Sequence, residues 1–243
     1  MRIVSLCPSI TESLVALGLA GSLAGVTRYC VHPREALHGI PRVGGTKNPD
    51  FEAIAALDPD LVFCNAEENR DTDVVDLSKR HRVDVSHPTR VADVPPLLRR
   101  LGELTGTGDV AEGWARAVEE KLGAARAGRP VRFAYMIWKG PWMAAAAGTY
   151  ISDLLETFGG VNVFPAGAGP WPATDEVQLA ALAPELLVLP DEPFPFGDAE
   201  RVHWEGILPA ARIALVPGED FCWHGVRTLR GLDAAGALLR EVA

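Results

Sequence analysis

Short apolar runs alternate with amphipathic stretches along the chain, the rhythm of strand and helix in turn. Residues 2–6, RIVSL, read as a buried strand. Ser9, followed three residues later by Glu12, predicts a capping box ahead of helical SLVALGL, which Gly18 and Gly21 close. Residues 22–26 form the next strand and run into the loop YCVH, residues 29–32. Residues 44–49 are a loop, and a helix over 50–57 sets Phe51, Ile54 and Leu57 on one face. A strand over 60–64 is followed by the polar loop AEENRD. Residues 109–127 break the rhythm. They predict one long amphipathic helix with Trp114, Val118 and Leu122 on one side. After Gly128 the alternation restarts, with strands over 133–138, 186–190 and 213–217 and helices over 149–160, 175–182 and 226–242.

The chain also echoes itself. ALDPDLVF (residues 56–63) and ALAPELLV (181–188) agree in kind and order: a helix end, a proline turn, an acid and a buried strand. The loops that follow them are NAEENR and PDEPFPF. The fold class that follows is α/β, with two Rossmann-like lobes joined by one long backbone helix: residues 1–106, a linking helix over 107–128, and residues 129–243. Ligands of open α/β sheets sit outside the carboxyl ends of the strands. In a two-lobed chain those ends can face each other across a cleft.

Composition narrows the partners. The 243 residues carry 23 basic and 32 acidic side chains, net −9, with no basic stripe, which argues against nucleic acid. No apolar run reaches the roughly 18 residues of a membrane span. No secretory signal is visible, so the expectation is a cytoplasmic protein, or a periplasmic one if an upstream leader is missing from this sequence. Cys7 and Cys64 end strand-like runs and read as buried thiols, whereas Cys30 and Cys222 lie in loop-like sequence. No phosphate-binding GxxxxGK[ST], GxSxG or HExxH motif occurs. The expectation is therefore not an enzyme.

Four stretches in order, RIVSLCPSITESLVALGL, VGGTKNPDFEAIAALDPDLVF, FGGVNVF and WPATDEVQLAALAPELLVL, resemble the class III periplasmic substrate-binding proteins. These helical-backbone metal-chelate receptors of ABC importers include the vitamin B12-binding and ferric siderophore-binding proteins. The resemblance runs along nearly the whole chain. It implies two lobes joined by a rigid helix and a corrinoid, haem or other metal chelate held in the cleft, with a ferric siderophore a further alternative. It also implies that Tyr29 lies in the ligand pocket and that the loops after Cys64 and around Trp223 form its walls. Family importers dock on their permease through one glutamate per lobe. Glu52 falls on the first docking position, but Val177 occupies the second, with Glu176 its neighbour.

Several residues are candidates for ligand contact. YCVH and FCWH (residues 221–224) share one pattern, and both are expected to face the cleft, one from each lobe. Residues i and i+2 of an extended loop project to the same side. Cys30 with His32, and Cys222 with His224, therefore form a candidate Cys2His2 metal site; the second functional reading is a metal-dependent enzyme built on these four. Trp142, Trp223 and Phe194 are candidates to stack on a flat ligand. Glu67, Glu68, Asn69 and Glu192 are candidates for polar contacts, and Lys47 and Arg227 for neutralising a ligand carboxylate.

Overall fold

A computed structural model of the chain describes residues 1–242. Its strands and helices follow the alternation of the sequence. In order they are β1 (Ile3–Ser5), α1 (Pro8–Ala16), β2 (Leu23–Val26), α2 (Phe51–Leu57), β3 (Leu61–Asn65), α3 (Asp71–Ser78), β4 (Val83–Ser86), α4 (Val94–Thr105) and α5 (Gly108–Ala124). Then come β5 (Val131–Trp138), β6 (Trp142–Ala145), α6 (Tyr150–Glu156), β7 (Gly160–Asn162), β8 (Ala173–Thr174), α7 (Glu176–Leu182) and β9 (Leu186–Pro190). The last four are α8 (Asp198–Ile207), β10 (Arg212–Val216), α9 (Gly218–Cys222) and α10 (Thr228–Arg240).

These elements form two compact units. The first contains residues 1–88, 93–119 and 223–227; the second contains 89–92, 120–222 and 228 onward. Helix α5 passes from one to the other after Glu119. Two short returns, 89–92 and 223–227, have no counterpart in the sequence reading, because neither carries a periodic pattern.

In the first unit four parallel strands lie in the order β2-β1-β3-β4. Alternation along the strands fills both faces. Ile3, Leu61 and Phe63 pack with Ile10 and Leu14 of α1 and Leu97 and Leu101 of α4. Val4, Val62 and Cys64 pack with Ile54 of α2 and Leu77 of α3 on the other face. Helices α4 and α5 meet so closely at Gly102 that a Cβ there would lie 2.4 Å from that of Ala111, so only glycine fits.

The second unit has β10-β9-β5 in parallel, with β6 and then β8 added antiparallel and β7 beside the start of β5. The β6–β8 extension and helices α8 and α9 go beyond the sequence expectation, the two strands and α9 being too short to show a period. Trp204 of α8 is fully buried at the centre of one face, among Met136, Leu187 and Phe196.

The internal echo is structural. Helices α2 and α7 each have seven residues and start at an aspartate, Asp50 or Asp175, whose side chain accepts the N–H of Ala53 or Gln178. Each ends at a left-handed non-glycine residue, Asp58 at φ 44° and Ala183 at φ 45°. Two residues on, Asp60 and Glu185 accept the backbone N–H of Arg2 and Arg132 at 2.7 and 2.9 Å. The guanidinium groups of those arginines donate back to the Leu57 and Leu182 carbonyls at 2.8 and 2.5 Å. One arginine bracket thus satisfies the helix end twice and holds the unfavourable turn in place.

One local expectation is corrected. Ser9 does not cap α1: the helix starts at Pro8, Cys7 is the N-cap, and no side chain caps it. Proline suits the first helical position, and its ring places Ser9 and Glu12 inside the helix, where both take other partners.

Candidate ligand-binding site

In the first unit the strand ends converge on a buried polar network. Asn65, the last residue of β3, is its centre. Its Oδ1 accepts the N–H groups of Glu67 and Glu68 at 2.9 and 3.1 Å, which fixes the orientation of the amide. Its Nδ2 therefore donates, to the Ser86 carbonyl at 3.0 Å and to His224 Nε2 at 3.2 Å. With Asn65 Nδ2 donating, His224 Nε2 is assigned as the acceptor and the proton of the neutral ring to Nδ1; Ser9 Oγ lies 3.3 and 3.4 Å from the two ring nitrogens. Burial pushes His224 down to about 4, with His87 adding to the shift.

The neighbouring residues fasten the return segment to α1. The Arg227 guanidinium is bidentate on Glu12, at 2.7 Å to each oxygen, and lies 4.9 Å above the Trp223 ring. Gly225 sits at φ +92°, and a Cβ there would come within 2.1 Å of Ser13 Oγ. FCWH is therefore divided. Phe221 and Cys222 belong to the second unit, while Trp223 and His224 belong to the first, together with YCVH. The expectation of one tetrapeptide per lobe is corrected accordingly.

The candidate Cys2His2 set is not assembled. Cys30 is 0% exposed, and its sulfur lies 3.1 Å from both Thr11 and Thr27 hydroxyls. A turn closed by Cys30 N–H on the Thr27 carbonyl folds this thiol inward, while Tyr29 and Val31 stay 51% and 44% exposed. The i, i+2 argument fails because the loop is not extended there. Burial raises the Cys30 thiol, the two threonine bonds partly opposing it. His32 sets its ring 5.8 Å from that of Trp223. Cys222 donates to Glu192 Oε1 at 3.2 Å. Among the described residues no three His, Cys, Asp or Glu side chains gather where one metal ion would bind. The reading as an enzyme built on these four residues loses its site on the same grounds.

Asn69 and Arg227 are likewise corrected from ligand contacts to structural parts. Asn69 is buried; its Oδ1 accepts Asn65 N–H at 2.8 Å, and its Nδ2 donates to the Thr46 and Leu6 carbonyls at 2.9 and 3.2 Å. Arg227 is committed to Glu12. Lys47 is exposed, and its ammonium donates to the Glu67 carbonyl oxygen at 2.5 Å. Burial raises both Glu67 and Glu68, with Lys47 opposing. The Glu67 carboxylate has His87 Nε2 at 3.8 Å, beyond hydrogen-bond range. Arg28 lies 5.2 Å over the Tyr29 ring and donates to Asn48.

In the second unit Trp142 is not in a loop. It lies in β6, stacked between Phe196 and His203 at centroid distances of 6.3 and 5.7 Å, with Trp204 edge-on at 5.0 Å. This packing makes it a core-side residue. Phe194 is half-buried and edge-on to Trp138 at 5.8 Å, and Trp138 is 43% exposed at the end of β5. Asp191 Oδ1 accepts the Gly218 N–H at 2.7 Å. Asn65 and Ser86 are not among the sequence candidates, and Ser9 is there only as a helix cap. A polar residue ending an apolar strand was the available signal at Asn65.

This architecture has known counterparts. A family model described as "Periplasmic binding protein" matches residues 3–194. The chain belongs to the periplasmic binding protein family. Its fold is that of the class III members. A protein named vitamin B12-binding protein from Vibrio cholerae is 26% identical over 238 residues, covering 96% of this chain and 86% of the relative. The like-named protein of Vibrio parahaemolyticus is 28% identical over 239 residues, with the same coverage of 96% and 86%. Among solved structures, the periplasmic vitamin B12 binding protein of Vibrio cholerae superposes with a TM-score of 0.88 at 22% identity, covering 99% of this chain and 97% of that one. A periplasmic heme binding protein from Pseudomonas aeruginosa gives 0.83 at 24% identity, covering 100% and 93%. Within this periplasmic binding protein the two echoed helices differ outwardly. Glu52 is exposed in the first turn of α2. Val177, its counterpart in α7, is 81% exposed, and the adjacent Glu176 accepts from His203 Nε2 at 2.8 Å.

Proposed function

We propose that this chain is a binding protein for a metal chelate, with a corrinoid ahead of haem and a ferric siderophore third. The relation to proteins named for vitamin B12 binding, along 96% of this chain, carries the reading. The site geometry supports it. The first unit offers the exposed Tyr29 face, His32, Lys47, Glu67 and Glu68 above a sealed neutral network. The second offers Trp138, Phe194 and Glu192. Aromatic faces and a few polar groups suit a flat ligand with a polar periphery. The chain works by binding rather than catalysis, as an importer-type receptor or a derivative of one. With Val177 rather than an acid in the second docking position, the two-glutamate docking of the importer type is incomplete, which argues against permease docking. The test is a fluorescence titration with dicyanocobinamide, cyanocobalamin, haemin and a ferric chelate. Saturable binding at micromolar concentration, about −8 kcal/mol, supports the reading. No binding of any of the four overturns it.

A further inference from the structure

We propose that Glu67 and Glu68 are specificity-determining residues that accept N–H or O–H donors from the periphery of the chelate and reject chelates whose periphery is carboxylate. The inference rests on the binding function proposed above and names the ligand chemistry that site selects.

The geometry points to it in three ways. First, the two carboxylates follow Asn65, whose amide oxygen clamps both of their backbone N–H groups. Their backbone is therefore held rigidly at the carboxyl end of β3, where a ligand of an open α/β sheet is met. Second, both side chains are partly withdrawn from water without matching donors. Among the described residues no donor hydrogen-bonds the Glu67 carboxylate, and His87 stands off at 3.8 Å. Thr46 and Lys47 lie close enough to Glu68 to oppose the effect of burial on it. Burial raises both carboxyls, with Lys47 opposing at each and His87 at Glu67. Third, the nearby ammonium of Lys47 is turned to the Glu67 carbonyl. Two carboxylates thus face one cation, and the local excess charge is negative. A partly exposed pair of carboxylates accepts a ligand amide or hydroxyl and penalises a ligand carboxylate by like-charge repulsion.

The experiment compares two corrinoids that differ chiefly in this respect: dicyanocobinamide, whose rim carries amides and one aminopropanol arm, and dicyanocobyrinic acid, whose rim carries carboxylates. Haemin, with two propionates, is the third probe. Affinities are measured on the full chain at pH 7.5 for wild type, E67Q and the double variant E67Q/E68Q. Wild type is expected to bind the amide corrinoid at least tenfold more tightly than the acid. The double variant is expected to narrow that ratio at least fivefold, mainly by tightening the acid. Glu67 lies outside the buried network, so E67Q alone keeps the test valid if E68Q disturbs the fold. Equal wild-type affinities, or a ratio unchanged in the variants, would overturn the inference and leave the binding function standing. Failure of wild type to bind any of the three would overturn both.

Discussion

The neutral state of His224 is the feature of the network most open to direct challenge. Its ring accepts from Asn65 and lies beside Ser9, and His87 is the charged-group neighbour that acts on it. The ordinary value of 6.5 falls to about 4 in the folded chain. The unfolded state therefore takes up a proton as the pH drops through 6.5, and the folded state resists until about 4. Stability from this group is complete above pH 6.5 and is lost as the pH falls toward 4. Linkage puts the loss between pH 7.5 and 5.0 at about 2 kcal/mol. Glu67 and Glu68 act in the opposite sense, because their raised carboxyls protonate earlier in the folded chain. The comparison must therefore be between wild type and His224→Gln, which keeps an acceptor for Asn65 but does not titrate. Urea unfolding at the two pH values should show wild type losing about 2 kcal/mol more than the variant. Equal losses in the two proteins would refute the buried neutral imidazole.

The cysteines and Asn69 give further tests. In the native protein a thiol reagent at pH 8 should modify Cys222, which is half-buried, and leave Cys7, Cys30 and Cys64 untouched until unfolding. Burial raises Cys7 and Cys64 to about 12, and rapid modification of more than one thiol would contradict the packing. Asn69→Ala removes three buried hydrogen bonds and should lower the unfolding free energy by about 2–4 kcal/mol. A loss below about 0.5 kcal/mol would return Asn69 to the surface.

The sequence made the framework legible because strands and helices announce themselves by period. ALDPDLVF and ALAPELLV even revealed the repeated helix–turn–strand unit that Arg2 and Arg132 bracket. The site was less legible, for identifiable reasons. YCVH looks like a polar loop, but one backbone turn at Thr27 sends Cys30 inward, and no periodicity encodes a single turn. FCWH looks like one unit of sequence, yet the chain passes between folding units after Cys222. Arg227 and Asn69 have the chemistry of ligand contacts, and only their partners, Glu12 and the Thr46 and Leu6 carbonyls, show that this chemistry is used internally. Trp142 lies in turn-rich KGPWM, but the strand it opens stacks it on Phe196. Tyr29, Glu67 and Glu68 were legible because each follows a strand end, and Lys47 because it lies in the polar loop before α2.

The central claim is that the chain binds an intact metal chelate. Equilibrium dialysis of the full chain at tens of micromolar against radiocobalt-labelled dicyanocobinamide, with the label counted on each side, tests it most directly. About one cobalt retained per chain, displaced by excess unlabelled corrinoid, is the predicted result. Equal cobalt on both sides of the membrane, with haemin and ferric chelates behaving alike, would contradict the account.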